Sequence, residues 1–166
     1  MGKLVVYKSS TGFTKKYAMW IAEALNCEAK DIKKVSKEEL NSTDTLIYGG
    51  WIMGSMIMGL DKIKNVYSGK LVVFAVGSTP TSEEVVSAIK KQNNLESTPL
   101  YYMEGGFEFE KLGFFKRNML KMVKKSVEKK ENKTEQDLFM IKALGTSFDH
   151  SDKKFIDPLV KVVNDN

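Results

Sequence analysis

The sequence predicts a doubly wound α/β fold, a three-layer sandwich in which helices cover both faces of a five-stranded parallel sheet. The first observation is that short apolar runs alternate along the chain with longer segments whose apolar residues recur at helical spacing. The second is that glycine-containing breaks follow three of these runs, as expected where a strand passes into a loop. Strands that alternate with helices pair in parallel and are buried on both faces.

The predicted strands are short and apolar, and they lie at residues 3–7, 27–32, 45–48, 70–76 and 100–103. Glycines are expected to end the last three of them, at Gly49–Gly50, Gly77–Pro80 and Gly105–Gly106.

The predicted helices show apolar stripes, and they lie at residues 14–26, 56–66, 82–92, 112–130 and 152–163. Ser82 and Ser151 stand where N-caps are expected for two of these helices. The polar stretch at residues 129–135 is predicted to be a loop.

The size of the chain predicts one domain over residues 1–166. It begins directly in a strand-like run, so we expect no signal peptide, and no apolar run has the length of a membrane span. Cys27 is the only cysteine and cannot form an internal disulfide. We therefore expect a cytoplasmic protein.

Positive charge is concentrated near residues 111–130, where eight Lys and Arg residues face one Glu. The net charge of +5 therefore leaves the rest of the chain slightly acidic. On the predicted helix, one side carries the apolar residues Leu112, Phe115, Met119, Met122 and Val123. The helix either packs this side in the core or lies at the surface and contacts an anionic membrane, at its inner face, or an acidic protein. We expect no nucleic acid partner.

Ligands of doubly wound folds bind beyond the carboxyl ends of the strands, where the strand order reverses. That rule selects the three segments that follow the first, third and fourth predicted strands. They are Lys8–Thr14, Gly49–Met56 and Gly77–Thr81.

The first of these segments has the composition of an anion site. Its hydroxyl donors are Ser9, Ser10, Thr11 and Thr14. Gly12 lets successive backbone N–H groups converge, and the following helix points its positive end at the same place. A nucleoside triphosphate loop would end in Gly-Lys-Ser/Thr, which is absent here, so a mononucleotide phosphate is the better guest. The alternative is an ordinary capped turn between strand and helix.

Residues 9–14, after the apolar run that ends at Tyr7, resemble the FMN phosphate loop of flavodoxins, whose pattern is Ser/Thr-x-Thr-Gly-x-Thr. Residues 48–55 resemble the loop of that family beside the isoalloxazine ring, and residues 77–80 begin like its third loop. The resemblance implies a flavodoxin-like fold and FMN as cofactor. It assigns the cofactor-binding residues Ser9, Ser10, Thr11, Gly12, Phe13, Thr14, Gly50, Trp51, Ile52, Met53, Gly54, Gly77, Ser78 and Thr79.

The third loop departs from the family pattern. Flavodoxins usually place an aromatic side chain against the outer face of the ring from this loop, and here Thr79 and Pro80 stand at that place. The departure implies that one ring face is open to a substrate or a partner.

A second resemblance concerns the chain after residue 105. A predicted strand that ends in glycine is followed by aromatic residues and then by the basic helix, which includes Phe114–Met119. This layout is similar to that of the flavodoxin-type, quinone-linked protoporphyrinogen oxidases.

Three functional hypotheses follow. The protein is an electron carrier that meets a redox partner protein, an FMN oxidoreductase that acts on a small flat substrate or quinone, or a flavin-free interaction module. No catalytic residue is assigned, and the sequence leaves open whether the chain is an enzyme.

Overall fold

The computed structural model describes residues 2–166. These residues form two compact units. The first unit comprises the chain up to Gly105 together with Ser151–Asn166, and the second comprises Gly106–His150. The prediction of a single domain over residues 1–166 stays a prediction, and each unit is described by itself.

The strands, in chain order, are β1 Lys3–Lys8, β2 Glu28–Asp31, β3 Thr45–Met53, β4 Met56–Ile57, β5 Lys70–Gly77, β6 Leu100–Glu104, β7 Gly106–Phe107 and β8 Phe148–Asp149. In the first unit, β2, β1, β3, β5 and β6 lie side by side in that order, and all of them are parallel. The predicted α/β fold with five parallel strands is confirmed.

The helices are α1 Phe13–Leu25, α2 Lys37–Asn41, α3 Leu60–Lys64, α4 Glu83–Gln92, α5 Phe114–Glu128, α6 Glu135–Ala143 and α7 Asp157–Asn164. Short 3-10 helices cover Ile32–Lys34, Phe109–Lys111 and Lys153–Ile156. Helices α5 and α6 belong to the second unit, and α6 has no counterpart among the predicted helices.

The sheet is buried on both faces because alternate residues of each strand point to opposite sides. Val5 of β1 and Phe74 of β5 join a core cluster with residues of α1 and α7. Val6 and Val73, one position away, join the second cluster, which includes residues of α3 and α4. Continuous apolar runs in the sequence therefore correspond to strands with two buried faces.

The third strand does not stop at Gly49–Gly50, as the sequence suggested, but continues to Met53. A Cβ at Gly49 would lie 1.9 Å from Phe74 Cζ, and one at Gly50 would lie 2.6 Å from Met58 O. Both glycines are thus needed for close packing, not for ending the strand. Because β4 then pairs back onto β3, the helix predicted from residue 56 is wrong in its first part, and only α3 is helical.

The predicted caps have different outcomes. Ser82 caps α4, since its Oγ accepts a hydrogen bond from Val85 N–H at 3.2 Å. The corresponding prediction for Ser151 is wrong, because Asp152 accepts from Lys154 N–H at 2.9 Å at the start of the last helical segment. Ser151 Oγ instead accepts from Lys16 Nζ at 2.7 Å.

The second unit contains the antiparallel pair β7–β8 and the contacting helices α5 and α6. The sequence left two alternatives for the apolar side of the basic helix, and burial in the core is contradicted for Phe115, Met119, Met122 and Val123, which are exposed. Val127 is the buried residue of α5 instead. In the described part of the chain, no helix has both the length and the apolar character needed to cross a membrane. Cytoplasmic localisation stays a prediction.

Candidate functional site

The register of the parallel strands brings the three predicted segments to one edge of the sheet. Lys8 of β1 pairs with Gly50 of β3, and Trp51 of β3 pairs with Val76 of β5. The chain therefore leaves the three strands side by side at their carboxyl ends. The strand order also reverses between β1 and β3, which is where ligands of this topology bind.

The β1–α1 loop has the geometry of an anion cradle. Gly12 adopts a φ of 105°, a left-handed conformation that favours glycine, and its N–H donates to Ser9 Oγ at 3.1 Å. Helix α1 starts at the next residue, Phe13. The structure describes every residue of α1, and its first turn contains no acidic residue. The positive end of the helix is therefore not neutralised locally by a side chain of its own first turn.

Open space lies beside the turn of this loop. A Cβ built on Gly12 would meet none of the described atoms within 4 Å, so a ligand can approach the backbone closely at this point. Ser10 is exposed and Thr11 is half-buried, and both remain accessible to such a ligand.

Two predicted residues of the first loop face the protein instead. Thr14 is 1% exposed, and Phe13 packs against the core cluster beneath α1. A Cβ on Gly105 would lie 3.5 Å from Phe13 Cβ, so the start of the helix approaches the end of β6 at this glycine. Phe13 and Thr14 therefore fix the position of the loop.

The second segment is a β-hairpin between β3 and β4, which the sequence analysis did not foresee. Its two turn residues, Gly54 and Ser55, have φ values of 55° and 65°, the signature of a type I′ turn. Before the turn, Trp51 and Ile52 are half-buried, and Met53 is 58% exposed. The hairpin thus presents apolar side chains beside the anion cradle.

Asn93, which the sequence analysis missed, anchors this hairpin from the end of α4. Its Oδ1 accepts from Ile57 N–H at 2.9 Å, and its Nδ2 donates to Ser55 O at 2.7 Å. Nδ2 also donates to Ile89 O at 2.7 Å, and the side chain is buried. An asparagine at a helix end is a common sequence feature, so only the fold could reveal this role.

The third segment is held by two residues of β6. Tyr102 Oη donates to Thr79 O at 2.6 Å, and Thr81 N–H donates to Glu104 Oε1 at 2.8 Å. Burial, reinforced by the nearby Glu104 carboxylate, raises the pKa of Tyr102, which keeps its hydroxyl a donor. Gly77 leaves room for this ring, because a Cβ there would lie 2.5 Å from Tyr102 Oη. Ser78 is exposed and Thr79 is half-buried at the same edge.

Comparison with known proteins identifies the family. The profile described as "Flavodoxin domain" matches residues 4–135, which is most of the chain. The chain belongs to the flavodoxin domain family. Members of this family bind a flavin, typically FMN. No curated protein sequence matches the chain.

Solved structures of flavodoxins are similar to this chain at low identity. Two-electron reduced Megasphaera elsdenii flavodoxin is 18% identical, with 60% of this chain and 82% of that chain covered and a TM-score of 0.47. Oxidised flavodoxin 2 from Bacillus cereus is 21% identical, with 63% and 84% covered and a TM-score of 0.47. A flavodoxin from the domain Archaea is 17% identical, with 62% and 78% covered and a TM-score of 0.43.

The residues at this edge fit FMN. The phosphate would meet a glycine turn with open space beside its backbone and a helix end without acidic residues in its first turn. The ring would meet the apolar side chains of the hairpin, which include one half-buried tryptophan and one exposed methionine. Both requirements are met by neighbouring segments of the same unit.

Proposed function

We propose that this chain binds FMN non-covalently at the carboxyl ends of β1, β3 and β5 and transfers electrons through it. The observation that carries the proposal is the left-handed Gly12 turn in front of α1, beside open space and at the point where the strand order reverses. When bound, FMN supplies one- and two-electron redox chemistry that no amino-acid side chain provides.

The phosphate is assigned to the first loop. Backbone N–H groups at the start of α1, together with the hydroxyls of Ser10 and Thr11, donate hydrogen bonds to it. Ser9 orders the turn through its bond from Gly12 N–H, and Thr14 and Phe13 fix the loop on the sheet.

The ring is assigned to the hairpin and the third loop. Trp51 and Met53 supply apolar cover on one side, whereas Ile52, which points to the opposite face of β3, packs against the second core cluster and supports the hairpin. Gly50 lets the hairpin lie close to the sheet. Gly54 supplies a backbone carbonyl at the turn, and the segment Gly77–Thr79 borders the opposite side. Asn93 keeps the hairpin in one conformation, so that the apolar cover does not need to be ordered when the ligand binds.

A second candidate is an FMN oxidoreductase of the protoporphyrinogen oxidase type, or another quinone-linked enzyme. It is favoured by the third loop, which offers Thr79 and no aromatic side chain to the outer face of the ring. The nearby Tyr102 of β6 is buried and donates to Thr79 O, so it does not cover the ring either. A flat substrate or a quinone would stack on the uncovered face.

The test compares FMN with riboflavin, which lacks the phosphate, by fluorescence titration of the purified chain. Thr11→Ala and Ser10→Ala should each weaken FMN binding about tenfold, because each removes a charge-assisted hydrogen bond, and should leave riboflavin binding unchanged. Trp51→Ala should weaken both ligands to the same extent. Ser97→Ala, at an exposed site before β6, is the matched control and should change neither.

Two outcomes would contradict the proposal. If neither flavin binds to the folded chain, both redox functions fail and the flavin-free interaction module remains. If FMN binds no more tightly than riboflavin, the first loop does not hold the phosphate. Turnover of a porphyrinogen with a quinone as acceptor would favour the enzyme over the carrier, and reversible reduction without such turnover would favour the carrier.

A further inference from the structure

Helix α5 in the second unit carries an uncovered apolar stripe. Phe115 is 86% exposed, Met122 is 72% exposed and Met119 is 59% exposed. Their spacing of four and then three residues places them on one face of the helix. Phe114, at the start of the helix, is 70% exposed and lies edge-on to Phe115, with the ring centroids 5.9 Å apart.

The stripe is distinct from the face that α5 packs inward. Val127 is buried and Leu120, seven positions earlier, is partly buried, so these two residues mark the inward face. At 100° per residue, the stripe through Phe115, Met119 and Met122 lies about 120° away from that face. Folding of the unit therefore uses one apolar face and leaves the other exposed.

The remaining surface of α5 is cationic. Its basic residues are Lys116, Arg117, Lys121, Lys124 and Lys125, and its one acidic residue is Glu128 in the last turn. Arg117, Lys121 and Lys125 follow one another at intervals of four and form a row beside Phe114. Exposed large apolar side chains with a row of long cationic side chains on the same helix are the composition of an interfacial helix.

We propose that α5 is a docking surface for an anionic lipid bilayer, with its phenylalanine and methionine side chains in the interface and its basic side chains at the lipid phosphates. The charge of the helix is complementary to an anionic leaflet. The exposed side chains of Phe114, Phe115, Met119 and Met122 can enter the boundary between headgroups and acyl chains, as the apolar residues of interfacial helices do. This inference rests on the second unit alone and does not depend on flavin binding.

The experiment is co-sedimentation of the full chain with vesicles of phosphatidylcholine, with and without about one third phosphatidylglycerol. We expect binding to the anionic vesicles, at least about tenfold weaker binding to the neutral ones, and loss of binding as salt rises from about 0.05 M to about 0.5 M. Circular dichroism of every variant confirms that it is folded.

Matched variants distinguish binding through the α5 surface from the effects of the overall charge and overall hydrophobicity of the chain. Met122→Ser should weaken vesicle binding about fivefold or more, whereas Met19→Ser, at an exposed methionine of α1, should not. The pair Lys121→Gln and Lys125→Gln should weaken it at least about tenfold. The pair Lys153→Gln and Lys154→Gln removes the same charge from exposed positions of the other unit and should leave binding unchanged.

Three results would overturn the proposal. The first is absence of binding to anionic vesicles at low salt by the folded chain. The second is equal binding by the α5 variants and their controls. The third is that the chain does not bind vesicles but forms a concentration-dependent dimer that Phe115→Ser disrupts. A second copy of the chain, and not a bilayer, would then cover the stripe. Flavin titration of the same samples measures independently whether the first unit binds FMN.

Discussion

The side-chain amide of Asn93 bonds to the backbone of Ile57, with 2.9 Å between Oδ1 and the Ile57 nitrogen, and so ties the end of α4 to the β3–β4 hairpin. The same amide donates to Ser55 O at 2.7 Å. One buried side chain thus satisfies two backbone groups on either side of Met56, and the conformation of the hairpin depends on a residue far away in sequence.

Asn93→Ala should lower the free energy of unfolding by about 2 to 3 kcal/mol, because it leaves buried backbone groups of the hairpin without partners. It should also weaken FMN and riboflavin binding alike, since the hairpin would need ordering. Chemical denaturation and flavin titration measure the two effects. Asn65→Ala, at an exposed position after α3, is the control. Unchanged stability of Asn93→Ala would show that the hairpin orders itself.

Gly49→Ala should destabilise the first unit by about 3 kcal/mol, because the new Cβ would lie 1.9 Å from Phe74 Cζ. Phe74→Leu in the same chain should recover part of that loss, so the two changes should be non-additive by about 1 kcal/mol or more. Gly113→Ala, where a Cβ would meet nothing in the described part of the chain within 4 Å, should cost at most about 1 kcal/mol, because it loses only the preference for glycine over alanine at the N-cap of α5. Additive effects of Gly49→Ala and Phe74→Leu would argue against direct contact.

Ser55 has a φ of 65°, a conformation that side chains other than Gly, Asn and Asp adopt at a cost. Ser55→Gly should therefore stabilise the chain by about 0.5 kcal/mol, and Ser55→Val should destabilise it by about 1 to 2 kcal/mol. Thermal unfolding should rank the three chains as Gly, Ser and then Val. The bond from Asn93 to Ser55 O persists in all of them because it uses the backbone. Any other ranking would contradict the left-handed turn.

Asp137 should make α6 sensitive to acid. A hydrogen bond from Lys130 at 2.8 Å, with further bonds from Thr134, lowers the pKa of Asp137 from 3.8 to about 2. A carboxyl whose pKa is lowered in the folded state stabilises that state when the pH is above the ordinary pKa of the group. This stabilisation is lost as the pH falls from about 4 through about 2. Wild type should therefore be more stable than Asp137→Asn at pH 5, and the difference should shrink as the pH falls and vanish only below about pH 2.

Thermal unfolding followed by circular dichroism, at several pH values in this range, measures that difference. Glu131→Gln removes an exposed carboxylate a few residues away and serves as the control. A stability gap between wild type and Asp137→Asn that does not change with pH would show that the hydrogen bonds act without the charge.

The sequence by itself determined the order along the chain of the five strands of the parallel sheet, the doubly wound architecture and the segments expected to form the site. It could do so because doubly buried strands require continuous apolar runs, and because a turn that presents backbone N–H groups to an anion requires glycine and hydroxyls at close spacing, as at Ser9–Thr14. Both signals are local, so they can be read without knowing the fold.

Only the tertiary structure decided what the glycines after Tyr48 do, which residue anchors the hairpin and which face of α5 is covered. In the sequence, a glycine such as Gly49 after an apolar run looks like the end of a strand. Its actual role is to leave room for the ring of Phe74 in a neighbouring strand. Asn93 acts on residues more than thirty positions away. The helical period shows that Phe115, Met119 and Met122 share a face, but whether that face is buried depends on which neighbours the fold brings to it.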